Sequence, residues 1–235
     1  MEEGAPQNNQ LSRKCYPYPL LHNVHKYLPP PSVTCTLGYS CETLYTEGDF
    51  VYFHYGCDGF NDNGWGCAYR TLQSICSWIV GKRSANESNT AVPSIKEIQQ
   101  TLVQIGDKSS EFVGSRDWIG AIEVFYVLDM LYDVVCKIIH IAHHDDLKKY
   151  ANVLKKYFEE FGGLVMMGGD MDAASKGLAG IHISGNQVYL LVIDPHFVGI
   201  PESVQELVDR GYIRWQHTSE FVDSSFYNIC LPQLK

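Results

Sequence analysis

Two apolar runs, residues 178–184 and 187–193, flank the dipeptide Gly185-Asn186. A two-residue Gly-Asn connection between such runs specifies a tight β-hairpin, because the turn requires positive φ and the runs require each other as partners. An antiparallel sheet must therefore occupy the C-terminal half, and shorter strand patterns at 134–141, 164–167, 212–216 and 226–231 supply its neighbours. Helical periodicity comes mostly earlier. Ala68, Leu72, Ile75, Cys76 and Ile79 keep helical spacing from Cys67 onward. Ser94 and Glu97 form a capping-box pattern that opens a helix with Ile95, Ile98, Leu102 and Ile105 on one face, and Gly106 ends it. Further helices are predicted at 117–131, 146–161 and 203–210, and a strand at 49–55. Helices followed by an antiparallel sheet predict an α+β fold.

At 235 residues the chain is sized for one main domain, expected over residues 20–235, behind a polar, proline-containing N-terminal tail at 1–19. Its 27 acidic against 18 basic residues give a net charge of −9, which argues against a nucleic-acid partner, since phosphate contacts need clustered Lys and Arg. No apolar run approaches the ~18–20 residues of a membrane helix, so no membrane insertion is expected. The acidic start Met1-Glu2-Glu3-Gly4 lacks the basic and apolar regions of a signal peptide, which places the chain in the cytoplasm as an expectation. In that reducing setting the eight cysteines are expected as free thiols. None forms a Cys-x-x-Cys pair, and His140, His143 and His144 have no matching ligand spacing, so neither a metal nor any other cofactor is expected. The chain is expected to be a monomer.

Cys67 is the first candidate for chemistry. It follows Gly64-Trp65-Gly66 and opens a helix. The unpaired N–H groups and dipole at a helix N-terminus stabilise a thiolate, the nucleophilic form of cysteine. The glycines before it would leave room for a substrate chain. Asp194-Pro195-His196 ends the second run of the hairpin. Residues i and i+2 of an extended chain project to one face, so Asp194 could orient the His196 imidazole as a base for a thiol. Tyr55, at the end of the predicted strand, is a candidate oxyanion donor through its phenol O–H. Trp118 is read either as core or as the wall of a groove. Alone, these features reach a candidate cysteine hydrolase, with a non-catalytic binding module as the rival.

The segment Asp62-Asn63-Gly64-Trp65-Gly66-Cys67-Ala68-Tyr69-Arg70-Thr71-Leu72-Gln73 resembles the nucleophile block of the ubiquitin-fold-modifier-specific cysteine proteases, the UfSP family. Val113-Gly114-Ser115-Arg116-Asp117-Trp118-Ile119-Gly120, Asp194-Pro195-His196 and Phe226-Tyr227-Asn228-Ile229-Cys230-Leu231 agree with it, and the similarity spans residues 20–232. Gly168-Gly169-Asp170-Met171-Asp172-Ala173-Ala174-Ser175-Lys176 is similar to the short type of that family, which lacks a large N-terminal extension. The resemblance implies a papain-like fold with the nucleophile at a helix N-terminus, packed on a mainly antiparallel sheet. It implies Cys67 as nucleophile, His196 as base, Asp194 as orienter and Tyr55 as oxyanion donor, with Gly64, Trp65, Gly66 and Trp118 along the substrate path. The implied partner is ubiquitin-fold modifier 1, cut after its final glycine in the precursor and, as a second reaction, at its isopeptide bond to lysine. An acidic enzyme would steer a basic modifier towards it. The order Cys…Asp…His is shared with the autophagin family, the alternative for another modifier.

Overall fold

A computed structural model of the protein describes residues 16–32, 41–83, 91–171 and 174–235. Its elements are β1 (Cys41–Tyr45), α1 (Cys67–Lys82), α2 (Ile95–Gln104), α3 (Ala121–Tyr132), β2 (Cys136–Ile141), α4 (Ala151–Glu160), β3 (Val165–Gly169), β4 (Ser175–Ser184), β5 (Gln187–Ile193), α5 (Val204–Asp209), β6 (Ile213–His217) and β7 (Tyr227–Pro232). The strands form one sheet in the order β2-β7-β3-β4-β5-β6, with β1 also paired to β4. All the pairings are antiparallel.

The sheet is buried on both faces, and strand alternation divides its side chains between two cores. Met166, Leu191, Ile193 and Cys230 join the core built with α1, α2 and α3. Val165, Met167, Leu190, Val192, Ile229 and Leu231 face the opposite core, closed by α4. The hairpin forms as its turn dipeptide demands: β4 and β5 pair Ser184 with Gln187, and Gly185 takes φ 56°. Gly180 is fixed by close packing, since a Cβ there would lie 2.7 Å from the Leu44 carbonyl oxygen where β1 crosses β4.

Helix α1 passes through the centre of the domain. Residues 67–79 are all buried, so the helix is enclosed on every side rather than amphipathic. Helix α2 carries its full capping box: the Ser94 hydroxyl accepts from Glu97 N at 3.2 Å, and Ser94 N donates to Glu97 Oε2 at 2.7 Å.

Four expectations change. Residues 49–55 are extended but form only isolated bridges, His22 with Val51 and Tyr55 with Val198. Two of their N–H groups are taken by side chains of α1, Val51 N donating to Ser77 Oγ (2.9 Å) and Phe53 N to Ser74 Oγ (3.1 Å), while Tyr52 N donates to the Leu21 carbonyl (2.8 Å) and Tyr55 N to that of Pro195 (3.1 Å). Strand β1 carried no recognised signal. Helix α3 starts at Ala121, leaving Trp118 in the preceding loop. Cys41 is disulfide-bonded, whereas Cys57, Cys67, Cys76, Cys136 and Cys230 are reduced thiols. The tail expectation for residues 1–15 lies outside the described residues. Of the four that follow, Tyr16 packs edge-on to Phe53 (centroids 5.8 Å) and Tyr18 stacks on His54 (6.2 Å). Among the described residues no helix is long and apolar enough to cross a membrane.

Candidate active site

Gly66 caps α1, and Cys67 is its first residue, only 8% exposed. The segment that delivers it is folded around one carboxylate. Asp62 Oδ1 accepts from Gly56 N at 2.8 Å, and the Asp62 carbonyl accepts from Trp65 N (3.2 Å) and Gly66 N (2.9 Å). Asp62 also takes two hydrogen bonds from Arg70, from Nε and Nη2, each at 2.9 Å. Arg70 lies one turn into α1, and both side chains are wholly buried. Asp58 (2.8 and 3.0 Å) and Gln73 (3.0 Å) complete the guanidinium's shell. A buried charge requires such pairing, since an uncompensated guanidinium would cost several kcal/mol (~3–5). Asp62 thus connects the residue after Tyr55, the residue before Cys67 and the first turn of α1.

This network explains Gly66 from within. A Cβ at Gly66 would fall 2.0 Å from Asp62 Oδ2, so glycine is needed to admit the carboxylate. Gly64 has φ +82° with nothing near its missing Cβ, which makes it a turn residue. Both glycines thus have a structural reason of their own, and neither is among the residues lining the cleft at Cys67.

His196 and Asp194 arrive from the end of β5. His196 Nδ1 lies 2.5 Å from Asp194 Oδ1, which also accepts from His196 N at 3.0 Å. The Asp194 carbonyl accepts from Tyr52 Oη at 2.6 Å, and Arg214 Nη1 stands 3.8 Å from Asp194 Oδ2. With Nδ1 committed to Asp194, the other side of the ring is hydrogen-bonded to Cys67. Tyr55, 4% exposed, presents its hydroxyl to Cys67 and stands edge-on to the His196 ring, with centroids 5.2 Å apart at 90°. A backbone N–H of Ser175, the first residue of β4, also donates to the Cys67 sulfur. The four predicted residues Cys67, His196, Asp194 and Tyr55 therefore meet at one point.

The electrostatics favour an ion pair. Burial alone would raise the Cys67 pKa, but hydrogen bonds from His196 and the Ser175 backbone, with the imidazolium charge, bring it below the ordinary thiol value. Burial would lower His196, yet its bonds to Asp194 and Cys67 raise it to about 9. Asp194 is burdened by burial and still held below the usual carboxylate range by the same imidazole. The arrangement thus shifts the pair towards a thiolate beside an imidazolium. Burial, then the neighbouring sulfur charge, drive Tyr55 upward, so its phenol keeps its proton and remains a donor.

His54 was not singled out from the sequence. Its buried ring lies with Nδ1 3.1 Å from the Tyr55 carbonyl and 3.3 Å from that of Phe197, joining the Tyr55 segment to the segment that carries His196. Burial lowers its pKa, so the ring is neutral and donates from Nδ1. Its Nε2 then accepts from the Tyr18 hydroxyl at 3.0 Å.

A cleft of about 160 Å³ opens at Cys67, walled by Trp65, Trp118, Gly168, Gly169, Ser175 and Phe226. Trp118 is 58% exposed and forms its rim, whereas Trp65 is buried against Phe60 and Tyr69. His140, His143 and His144 each bond to a different side chain, Asn228, Asp170 and Asp223, and no cluster of three metal-ligating side chains occurs among the described residues.

Residues 41–230 match the model of Peptidase family C78. The chain belongs to peptidase family C78. Within C78, a probable Ufm1-specific protease 1 of Drosophila melanogaster is 51% identical over 230 residues, 97% of this chain and 94% of its own length. Ufm1-specific protease 1 of Mus musculus is 40% identical, covering 91% of this chain and 94% of its own. Ufm1-specific protease 2 of Mus musculus is 38% identical, but the match covers only 44% of that longer chain. The crystal structure of UfSP from C. elegans superposes with a TM-score of 0.74 at 31% identity, over 92% of this chain and 38% of that one. This C78 chain is thus a cysteine peptidase of papain-like α+β fold, and its length agrees with the protease 1 relatives.

Proposed function

We propose that this peptidase hydrolyses the bond after the C-terminal glycine of the ubiquitin-fold modifier 1 precursor. We assign Cys67 as nucleophile, His196 as acid and base, Asp194 as the residue that orients it, and Tyr55 as oxyanion donor. The observation that carries the reading is the meeting of Cys67, His196, Asp194 and Tyr55 beside a cleft that opens at Cys67. The names of the relatives supply the modifier.

The steps follow from charge and reach. The Cys67 thiolate attacks the glycine carbonyl carbon, and its negative charge passes to the carbonyl oxygen. The Tyr55 hydroxyl and the N–H groups at the start of α1 donate to that oxygen. The His196 imidazolium gives its proton to the leaving amine, and the C–N bond breaks to leave a thioester on Cys67. Neutral His196 then takes a proton from water, which attacks the thioester and releases the glycine carboxylate. Asp194 stabilises the imidazolium in both halves. Trp65, Trp118, Gly168 and Gly169 would pass the slender tail to Cys67. The same attack on an isopeptide carbonyl would free the modifier from lysine.

Purified precursor incubated with the parent, Cys67→Ser and His196→Ala proteins tests the reading by intact mass. The expected result is a product ending at glycine from the parent and uncut precursor from both variants. A folded parent that leaves the precursor whole, or a Cys67→Ser protein that cuts it, overturns the proposal.

A further inference from the structure

A second cavity, of about 330 Å³, lies beside Tyr55; Phe60, Val198 and Ile200 supply its apolar wall, and Tyr18, Asn61 and Asn63 its polar groups. Three of these are unusually exposed for apolar side chains: Phe60 at 49%, Val198 at 54% and Ile200 at 64%. Among the described residues that line it, none is charged. It is roughly twice the size of the cleft at Cys67 and shares no lining residue with it.

The two cavities are lined by different segments of the active site. The smaller one is lined by Cys67, Ala68 and Ser175 and by no residue of the segment that carries His196. The larger is lined by Val198, Gly199 and Ile200, two to four residues after His196, and by Tyr55, which is bridged to Val198. In acyl transfer the general acid must reach the departing amine, so the leaving group lies on the acid's side of the nucleophile. A chain that passes Cys67 and Tyr55 with its amine towards His196 continues into the second cavity.

Resting on the catalytic roles proposed above, we infer that this cavity docks the leaving half of the substrate. It selects an uncharged, apolar side chain on the residue immediately after the scissile bond. Burying such a side chain against Phe60, Val198 and Ile200 removes apolar surface from water. A carboxylate placed there meets no cation and loses solvation. The contacts are made while the C–N bond breaks and are gone once the thioester has formed, so they act on acylation alone.

The test uses ubiquitin-fold modifier 1 fused through its terminal glycine to a reporter whose first residue is Leu, Ser or Asp. The parent should cleave the Leu fusion with a kcat/KM about tenfold above the Asp fusion, with Ser between, the scale of one well-placed apolar contact. The ratio within one enzyme is the readout, because general damage to a variant cancels from it. Ile200→Ser should flatten the Leu-to-Asp ratio towards one. Ile200→Lys should raise cleavage of the Asp fusion relative to the Leu fusion, a gain that misfolding cannot produce. Cutting of all three fusions at equal rates by the parent would overturn this inference while leaving the peptidase assignment intact. So would an unchanged ratio in both variants. If the parent cuts no fusion and no precursor, the proposed function falls and this inference with it.

Discussion

Asp62→Asn is the most informative single change outside the reacting groups. It keeps the shape of the side chain and removes its charge. Asp62 accepts two hydrogen bonds from Arg70 and one from Gly56 N, all at 2.8–2.9 Å and fully enclosed. An amide in its place turns an NH₂ group towards the guanidinium and leaves Arg70 with Asp58 as its charged partner. Breaking a buried ion pair from one side costs about 3–5 kcal/mol, because the remaining charge stays in a poor solvent. For a chain of this size each kcal/mol lowers Tm by roughly 2–4 °C, so a loss of about 6–20 °C is expected. Thermal unfolding followed by circular dichroism measures it. Asp49→Asn is the control: Asp49 pairs with Lys26 at 2.9 Å, but the side chains are 68% and 53% exposed, and Tm should stay in place. Activity should fall further than Tm implies, since Asp62 also fixes the residues next to Tyr55 and Cys67. A Tm drop no greater than that of Asp49→Asn would refute the reasoning that this carboxylate organises the nucleophile segment.

Three further outcomes follow from the geometry. In Asp194→Asn, His196 loses the main partner that raises it to about 9, so the imidazolium is lost at lower pH and the alkaline limb of kcat/KM moves down; an unmoved limb would separate that limb from His196. Tyr55→Phe should reduce kcat by about 10²–10³ with KM little changed, the cost of one oxyanion donor, as steady-state kinetics would read. Gly66→Ala should destabilise the fold by about 1–3 kcal/mol in urea titration, because its Cβ would overlap Asp62.

Legibility followed the range of each interaction. The hairpin at Gly185-Asn186 and the capping box at Ser94 and Glu97 are local, and the sequence states them directly. The positions of Cys67, Asp194 and His196 were readable because a helix start and an i, i+2 pair are local geometry as well. Residues 49–55 looked like a sheet strand because their composition suits one. Two of their N–H groups go instead to Ser74 and Ser77 on a helix, a pairing that no periodicity announces. Arg70 could have been flagged, since a charge inside an apolar helix demands a partner. The identity of that partner, eight residues earlier across a turn, required the fold. His54 was hidden for the same reason: its role lies in two backbone carbonyls more than a hundred residues apart in sequence. The packing reason for Gly66, the Asp62 carboxylate against its missing Cβ, likewise required the fold.

The central claim is that the Cys67 thiolate is the group that attacks the modifier's terminal carbonyl. It is tested most directly with a modifier bearing an electrophile in place of its last glycine carboxylate, followed by peptide mapping of the captured enzyme. The account predicts one adduct, on the peptide holding Cys67, formed by the parent and absent in Cys67→Ser. Capture at another thiol such as partly exposed Cys136, or no capture by the folded parent, would contradict it.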